Sequence, residues 1–476
     1  MRSAVFVVLL AAGAPYPDAF AAPLTPAVLQ LQVQARPDVA DLECEPGAPA
    51  RAHVSTPNPD PLEVPSDDTV RAMADDADLQ PPPAHAPGPQ VLPSSAARPL
   101  PGAYRIAIWG DSHLAAGFFT DELARRLQAP ADNGSNNVAN VLLPANMGRA
   151  GVRLPIRRSC VSPQWKYELG YLGGDGARLP GPGLVNMVAE GAGASVAWDL
   201  RSDKRVPRYE RVRMLYQQTD TPIVVALSVD GAPETEVALD RSPGPAVLEL
   251  AADKPLSQVK LRLVSGALRF HGLDLASPRA SAIAMDVFGY PGATVASWKH
   301  AQLDYLASWF GGRDYQVVLL EFGTNEGAVK PFDGSTYRRM LEESVRNMRT
   351  VFPNAACVLI APGDRGVLVP QSANRSKRAK GKGKAARRGP RIDLYVYSRI
   401  HAEIGRVQRE VAGAAGCSTW SMMEAMGGAG AAYTWAHQSP PLMAKDLIHF
   451  TVAGYQRFAQ KFVRDMNWTA APEGDQ

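Results

Sequence analysis

A serine, an imidazole and a carboxylate are enough to turn a hydroxyl into a nucleophile. The imidazole takes the hydroxyl proton, and the carboxylate holds the imidazole in the required tautomer. This chain carries such a set in two pieces: Ser112 lies in Gly110-Asp111-Ser112-His113, and Asp446 and His449 lie in Asp446-Leu447-Ile448-His449. A carboxylate and an imidazole so spaced can face one serine from a single turn. A third segment, Gly323-Thr324-Asn325-Glu326, adds a side-chain amide. Singly, each segment says little: a Gly-Asp-Ser turn is ordinary, and an Asp446–His449 pair suits a helix cap or surface turn equally well. Asp111 reads as the residue that orders its turn through a local side-chain to backbone bond.

The surrounding elements must bring these pieces together. Ile106-Ala107-Ile108-Trp109 is a short apolar strand that runs into the Ser112 turn, and Phe118, Leu123 and Leu127 predict a helix behind it. Val317-Val318-Leu319-Leu320 reads as a buried strand delivering the Gly323 segment. A helix is expected over Tyr337–Val351, a strand over Ala356–Ile360, and a closing helix from Gly454 to Val463. Leu394, Ile400, Ile404, Val407 and Val411 form a further helical stripe, best explained by core packing. Continuous apolar strands between helices imply a parallel sheet covered on both faces. Residues 149–281 differ: Ile223–Val229, Glu236–Leu239, Ala246–Leu250 and Val259–Leu263 are short β-type runs separated by turns, which predict an inserted antiparallel β-sandwich.

Met1 and Arg2, the apolar run from Ala4 to Ala14 and the small-residue site Ala19-Phe20-Ala21 form an export signal over residues 1–21, too short for a bilayer anchor. The expected location is therefore the periplasm or the extracellular space, with no transmembrane anchor. Residues 22–103 are rich in proline, alanine and acids, and read as a linker or an extended wrap. The four cysteines, Cys44, Cys160, Cys357 and Cys417, allow three complete pairings; a Cys357–Cys417 bridge fits an oxidising compartment. None has zinc-ligand spacing, and the eight histidines do not cluster with them, so a structural metal is not expected. The formal net charge is +3, from 50 Lys and Arg against 47 Asp and Glu. Much of the excess sits in a basic insertion over residues 371–391, including Lys377, Arg378, Lys380 and Arg391. Without interleaved aromatics this run reads as a solvated, flexible segment, and nucleic acid is not an expected partner.

Taken together and in this order, the segments resemble the SGNH (GDSL) hydrolase family. Gly110 to His113 matches the family's first block, Gly289-Tyr290-Pro291-Gly292-Ala293-Thr294 the second, Gly323 to Glu326 the third and Asp446 to His449 the last. The resemblance covers residues 104–120 and 286–463. It implies an α/β, three-layer parallel sheet flanked by helices, built from residues 104–148 and 282–468 around the inserted sandwich. It also implies Ser112 as nucleophile, His449 as general base and acid, and Asp446 as its orienter. The oxyanion would be held by the amides of Ser112 and Gly292 and the side chain of Asn325.

His113 departs from the leucine common after the family serine. Together with Ala116-Gly117-Phe118-Phe119-Thr120-Asp121 and the β-rich insertion, it looks like the subgroup of periplasmic peptidoglycan O-acetylesterases, whose insertion resembles a carbohydrate-binding module. The resemblance implies an O-acetylated polysaccharide as partner, peptidoglycan foremost, and no cofactor. His113 either touches substrate or packs beside the turn, and Trp298, Trp420 and Trp435 either offer sugar-stacking faces or fill the interior. Two other functions suit the same residues: transfer of the acyl group to a sugar hydroxyl, and glycan binding without catalysis. The polymer, the ester position and the oligomeric state stay open.

Overall fold

The computed structural model describes residues 23–31, 39–44, 62–67, 70, 104–127, 140–145, 147, 151–172, 179–239, 241–277, 283–329, 331–370 and 392–468. The export signal over 1–21 and the basic insertion over 371–391 lie outside the described residues.

Five parallel strands position the segments singled out above. They are Tyr104–Gly110 (β1), Ile283–Gly289 (β2), Val317–Glu321 (β3), Ala356–Ala361 (β4) and Ser418–Ser421 (β5), in the spatial order β2-β1-β3-β4-β5. Successive side chains on a strand point to opposite faces, and here both faces are dry. Ile106, Ile108, Val317, Leu319, Val358 and Ile360 join one core with Phe119 and Leu123 of helix α2 (Phe118–Leu127) and with Phe458 and Phe462 of a closing helix, Val452–Asp465. Ala107, Trp109, Val318, Leu320, Cys357 and Leu359 join a second core. Its cover is the helix Gly334–Val351, through Tyr337, Leu341 and Val345, and the helix Val396–Ala415, through Val407 and Val411. Each fully buried Leu, Ile or Val contributes about 1.5–3 kcal/mol relative to exposure, so alternation along the strands holds the sheet between its two helical layers. The expected strands and helices are all present, with ends shifted by a few residues.

The β-rich part comprises a seven-stranded sheet, antiparallel but for one edge pairing, and a five-stranded antiparallel sheet. Their facing side chains, among them Met214, Tyr216, Leu248 and Leu250 from one and Val225, Leu227, Leu261 and Leu263 from the other, share a third core. The seven-stranded sheet is apolar on its other face too: Leu142, Val185, Leu215 and Val247 pack into the core around Trp109 and Tyr290. The sandwich is thus seated against the α/β body. Tyr171 stacks on Tyr290 with centroids 4.4 Å apart, and the Tyr290 hydroxyl donates to the Gly183 carbonyl at 2.8 Å.

Two boundaries expected from the sequence shift. The sandwich begins before residue 149, because Val141–Pro144 pairs with Leu268–Ala276 and sends Val141 and Leu143 into the sandwich core. Within residues 22–103, expected to be a linker or an extended wrap, Ala27–Leu31 adds a parallel edge strand to Gly244–Leu256. Asp41 pairs with Arg157, Arg201 and Arg205, and Cys44 is bridged to Cys160. Proline-rich composition conceals a short strand when the hydrogen-bond partners come from a distant sheet edge. The second bridge, Cys357–Cys417, ties β4 to the chain entering β5 across a 60-residue separation. Replacing both its cysteines by alanine is expected to cost roughly 4 kcal/mol on the chain-entropy scale, seen as a lower guanidinium midpoint for the α/β body. An unchanged midpoint would mean the helical layers alone restrain that loop.

Candidate active site

Strand β1 ends at Gly110, beside the end of β3. A Cβ on Gly110 would lie 2.6 Å from the Glu321 carbonyl oxygen, so the approach of the two strand ends requires glycine. Asp111 follows, fully buried, as the N-cap of a one-turn helix, α1 (Ser112–Ala115), its Oδ1 accepting from the His113 amide at 2.9 Å. This local role is the one the sequence suggests. The Asp111 amide donates to Glu321 Oε2 at 3.1 Å. Burial pushes the Asp111 carboxyl up to about 6, against the pull of its hydrogen bonds. Burial, with the charge of Asp111 next, pushes Glu321 well above the usual carboxylate range.

The turn projects Ser112 toward the loop preceding the closing helix. Ser112 Oγ lies 2.9 Å from His449 Nε2, and His449 Nδ1 lies 2.7 Å from Asp446 Oδ2. The other carboxylate oxygen, Oδ1, accepts the amides of Ile448 and His449, each at 3.0 Å. Burial opposes ionisation of Asp446, but the His449 ring and the two amides outweigh it and hold the carboxyl down to about 2. The bond to Asp446 in turn raises the His449 imidazole above its ordinary value, against partial desolvation. An ionised Asp446 only accepts, so it sets Nδ1 as the protonated nitrogen and leaves Nε2 free to receive the serine proton. Between them Leu447, at φ +58°, turns its side chain fully into the core, which lets Asp446 and His449 share one side of the loop. Its carbonyl accepts from Gly366 N at 3.0 Å, tying the loop to the segment after β4.

Opposite this loop, the second and third blocks lock together. Asn325 Nδ2 donates to the Ala293 carbonyl at 2.8 Å. Glu326 accepts from Val295 N at 2.8 Å and Gly323 N at 3.0 Å, one on each carboxylate oxygen. Burial pushes Glu326 up to about 7 despite those amides. Gly292 is exposed at φ +84°, a conformation that L side chains rarely adopt. Leu172, from the sandwich, is the nearest neighbour to its Cβ position.

Four other expected site residues lie elsewhere. His113 is 2% exposed, its Nδ1 3.1 Å from the Tyr455 hydroxyl and its ring 5.6 Å from that of His449. It packs behind the triad and has no face for substrate. Burial lowers it to about 3, so it backs His449 as a neutral ring. Trp298 is 0% exposed and packs on Trp109; Trp420 is 1% exposed between Phe458 and Phe462; Trp435 is 6% exposed against Phe450 and Phe458. None offers a sugar a stacking face. Residues missed by sequence reasoning are Glu321, Tyr455 and Arg365. Only Glu321 left a signal: a carboxylate closing an apolar strand beside a glycine motif. Among the described residues no His, Cys, Asp and Glu cluster could hold a metal ion, and no helix is long and apolar enough to cross a membrane.

No family model and no curated protein matches the chain. Among solved structures, one described as a peptidoglycan O-acetylesterase in action aligns with TM-score 0.54 at 22% identity, covering 78% of this chain and 93% of that one. A lipase/acylhydrolase from Enterococcus faecalis aligns at TM-score 0.24 and 19% identity, over 39% of this chain and 76% of that one. A family two carbohydrate esterase from Clostridium thermocellum, in complex with cellohexaose, aligns at TM-score 0.25 and 10% identity, over 60% of this chain and 95% of that one. The first of these carries the comparison, and it speaks for the fold. The chain shares with that structure a mixed α/β fold of several sheets and flanking helices.

The electrostatics of the relay are directly measurable. By NMR titration the His449 imidazole should lose its proton above the ordinary value of about 6.5. In Asp446→Asn the midpoint should fall, because the bond that favours the imidazolium is gone. Equal midpoints in the two chains would show that the ring and carboxylate do not interact in solution.

Proposed function

We propose that the chain is an SGNH-type serine esterase, with the three-layer α/β arrangement of that family, that removes O-acetyl groups from a cell-wall polysaccharide, peptidoglycan foremost. The observation that carries this reading is the unbroken relay from Ser112 Oγ through His449 to Asp446, 2.9 and 2.7 Å per step, at the carboxyl edge of the parallel sheet. The sandwich, docked beside Gly292 through Tyr171 and Leu172, is a wall on which a polymer chain can rest. With its export signal, the protein would work outside the cytoplasm, where that polymer lies.

The mechanism follows from the atoms present. His449 Nε2 takes the Ser112 proton as Oγ attacks the acetyl carbonyl, and the Nδ1–H bond to Asp446 stabilises the imidazolium that forms. Negative charge then develops on the carbonyl oxygen, where the amides of Ser112 and Gly292 are the donors proposed to meet it. Asn325 adds a third. One of its two amide hydrogens is committed to the Ala293 carbonyl, which fixes the amide plane and leaves the second for the oxyanion. One such preorganised donor is worth about 3 kcal/mol in comparable sites. His449 returns the proton to the departing sugar oxygen. Water then enters by the reverse roles, cleaving the acetyl-serine ester to acetate.

Acetate release from O-acetylated peptidoglycan by the purified mature chain, with acetylated xylan and an aryl acetate as comparison substrates, tests the reading. Ser112→Ala should reduce release by at least about 10³-fold. The rate should fall with decreasing pH as His449 gains a proton, at a midpoint above the ordinary imidazole value. Serine-independent release, or none from any substrate, would overturn the reading. Asn325→Ala should lower kcat by about 10²-fold with little change in KM; a change in KM alone would remove Asn325 from the oxyanion site.

A further inference from the structure

The loop after β4, Pro362-Gly363-Asp364-Arg365-Gly366, is built to hold its position. Asp364 is buried, accepting from Ser398 Oγ at 2.6 Å and from the Ala432 amide at 2.9 Å. His401 lies with Nδ1 2.6 Å from the Gly363 carbonyl. Gly366 N donates to the Leu447 carbonyl, in the very turn that carries Asp446 and His449. Arg365 therefore emerges next to the triad on a braced segment, close enough that its charge opposes protonation of His449 and is itself favoured by Asp446.

This guanidinium is unlike the others placed at comparable depth. Arg105 pairs with Asp286, Arg201 with Asp199, Arg213 with Glu249, Arg313 with Asp274 and Arg409 with Glu424. Among the described residues the Arg365 guanidinium has neither a hydrogen bond nor an ion pair. Its guanidinium carbon sits 3.9 Å from the centroid of the Tyr397 ring, and its Nε is buried without a partner. The ring covers one face and fixes the guanidinium plane, leaving the terminal nitrogens to act. A half-buried cation with no carboxylate in direct contact is unfavourable for the fold. Such local costs are retained where a ligand supplies the missing partner.

We propose that Arg365 is a specificity residue that binds a carboxylate carried by the polymer next to the acetylated sugar. A planar guanidinium backed by an aromatic ring matches a carboxylate with two parallel hydrogen bonds. The proposal rests on the esterase reading for its substrate. It extends that reading by requiring an acidic glycan, one bearing a uronic carboxylate or a muramyl lactyl carboxylate that carries no peptide, over a neutral one such as acetyl xylan. The chemistry at Ser112 is unchanged, and the effect of Arg365 is on which ester is presented to it.

Binding separates this inference from turnover. The Ser112→Ala chain is titrated with N-acetylmuramic acid and with its methyl ester, which differ only in the carboxylate charge. The acid should bind about 10- to 100-fold more tightly, the gain of one charge-assisted bidentate contact, and Arg365→Gln should bring the ratio close to one. Arg365→Lys should retain part of the preference, because it keeps the charge and loses the fork. Among active chains, the ratio of kcat/KM on acidic to neutral acetylated polymer should fall in Arg365→Gln by a similar factor. Equal binding of acid and methyl ester, or a preference that survives in Arg365→Gln, overturns the proposal. So does an equal loss on both polymers, which would make Arg365 a support for the triad. If no chain releases acetate but the binding preference and its loss are seen, the esterase reading fails while the carboxylate site stands.

Discussion

A hydrogen bond of 2.9 Å joins Ser112 to a histidine 337 residues away in sequence. Nothing local can maintain it. The serine belongs to a one-turn helix at the end of β1, and the histidine to a loop with no regular structure of its own. The bond survives because each end is fixed to the same parallel sheet: Ser112 directly through β1, His449 through the Leu447 carbonyl and the braced loop after β4. A displacement of either by an ångström would break the relay, and proton transfer tolerates little more than that.

Burial of the sheet on both faces makes this rigidity possible and sets its cost. Backbone groups at the carboxyl edge run out of strand partners just where the site must open, and unpaired buried amides are expensive. Side chains meet the deficit. Glu321 takes the Asp111 amide, Asp111 takes that of His113, and Glu326 takes those of Val295 and Gly323. Burial raises the proton affinities of all three acids, and the charge of Asp111 adds to the rise at Glu321 and Glu326. Asp446 escapes this layer: two amides and the imidazole keep it ionised while its neighbours are pushed toward the neutral form. Carboxyls in one small region thus divide into one that stays charged to orient His449 and several that hold the backbone.

The sandwich obeys the same rule of two dry faces. Its seven-stranded sheet alternates between the β-core and the α/β body, with Val141 and Leu143 on one side and Leu142 on the other. A module attached by a tether would present one of those faces to water. Here Tyr171 stacks on Tyr290 and Leu172 is the nearest neighbour to the Cβ position of Gly292, so the insertion packs directly against the second block.

Periodicity and turn residues were enough to determine the parallel strands, their covering helices and the β-rich insertion, because each is a property of contiguous residues; the pairing of Ser112 with Asp446 and His449 was legible only through the order of the motifs and the family they resemble. The tertiary structure alone decided the rest. Trp298, Trp420 and Trp435, which in sequence suit either a sugar-stacking face or the interior, are interior in the fold. His113 is sealed by Tyr455 and Phe450, more than three hundred residues distant. The edge strand at Ala27–Leu31 exists only because a distant sheet edge offers hydrogen bonds. Arg365 gave no sequence signal, since the absence of a direct ion-pair partner is a fact about three-dimensional neighbours. Local pattern specifies which face of an element seeks burial; what covers that face, and which polar groups are left to act, depends on partners that the chain brings together only on folding.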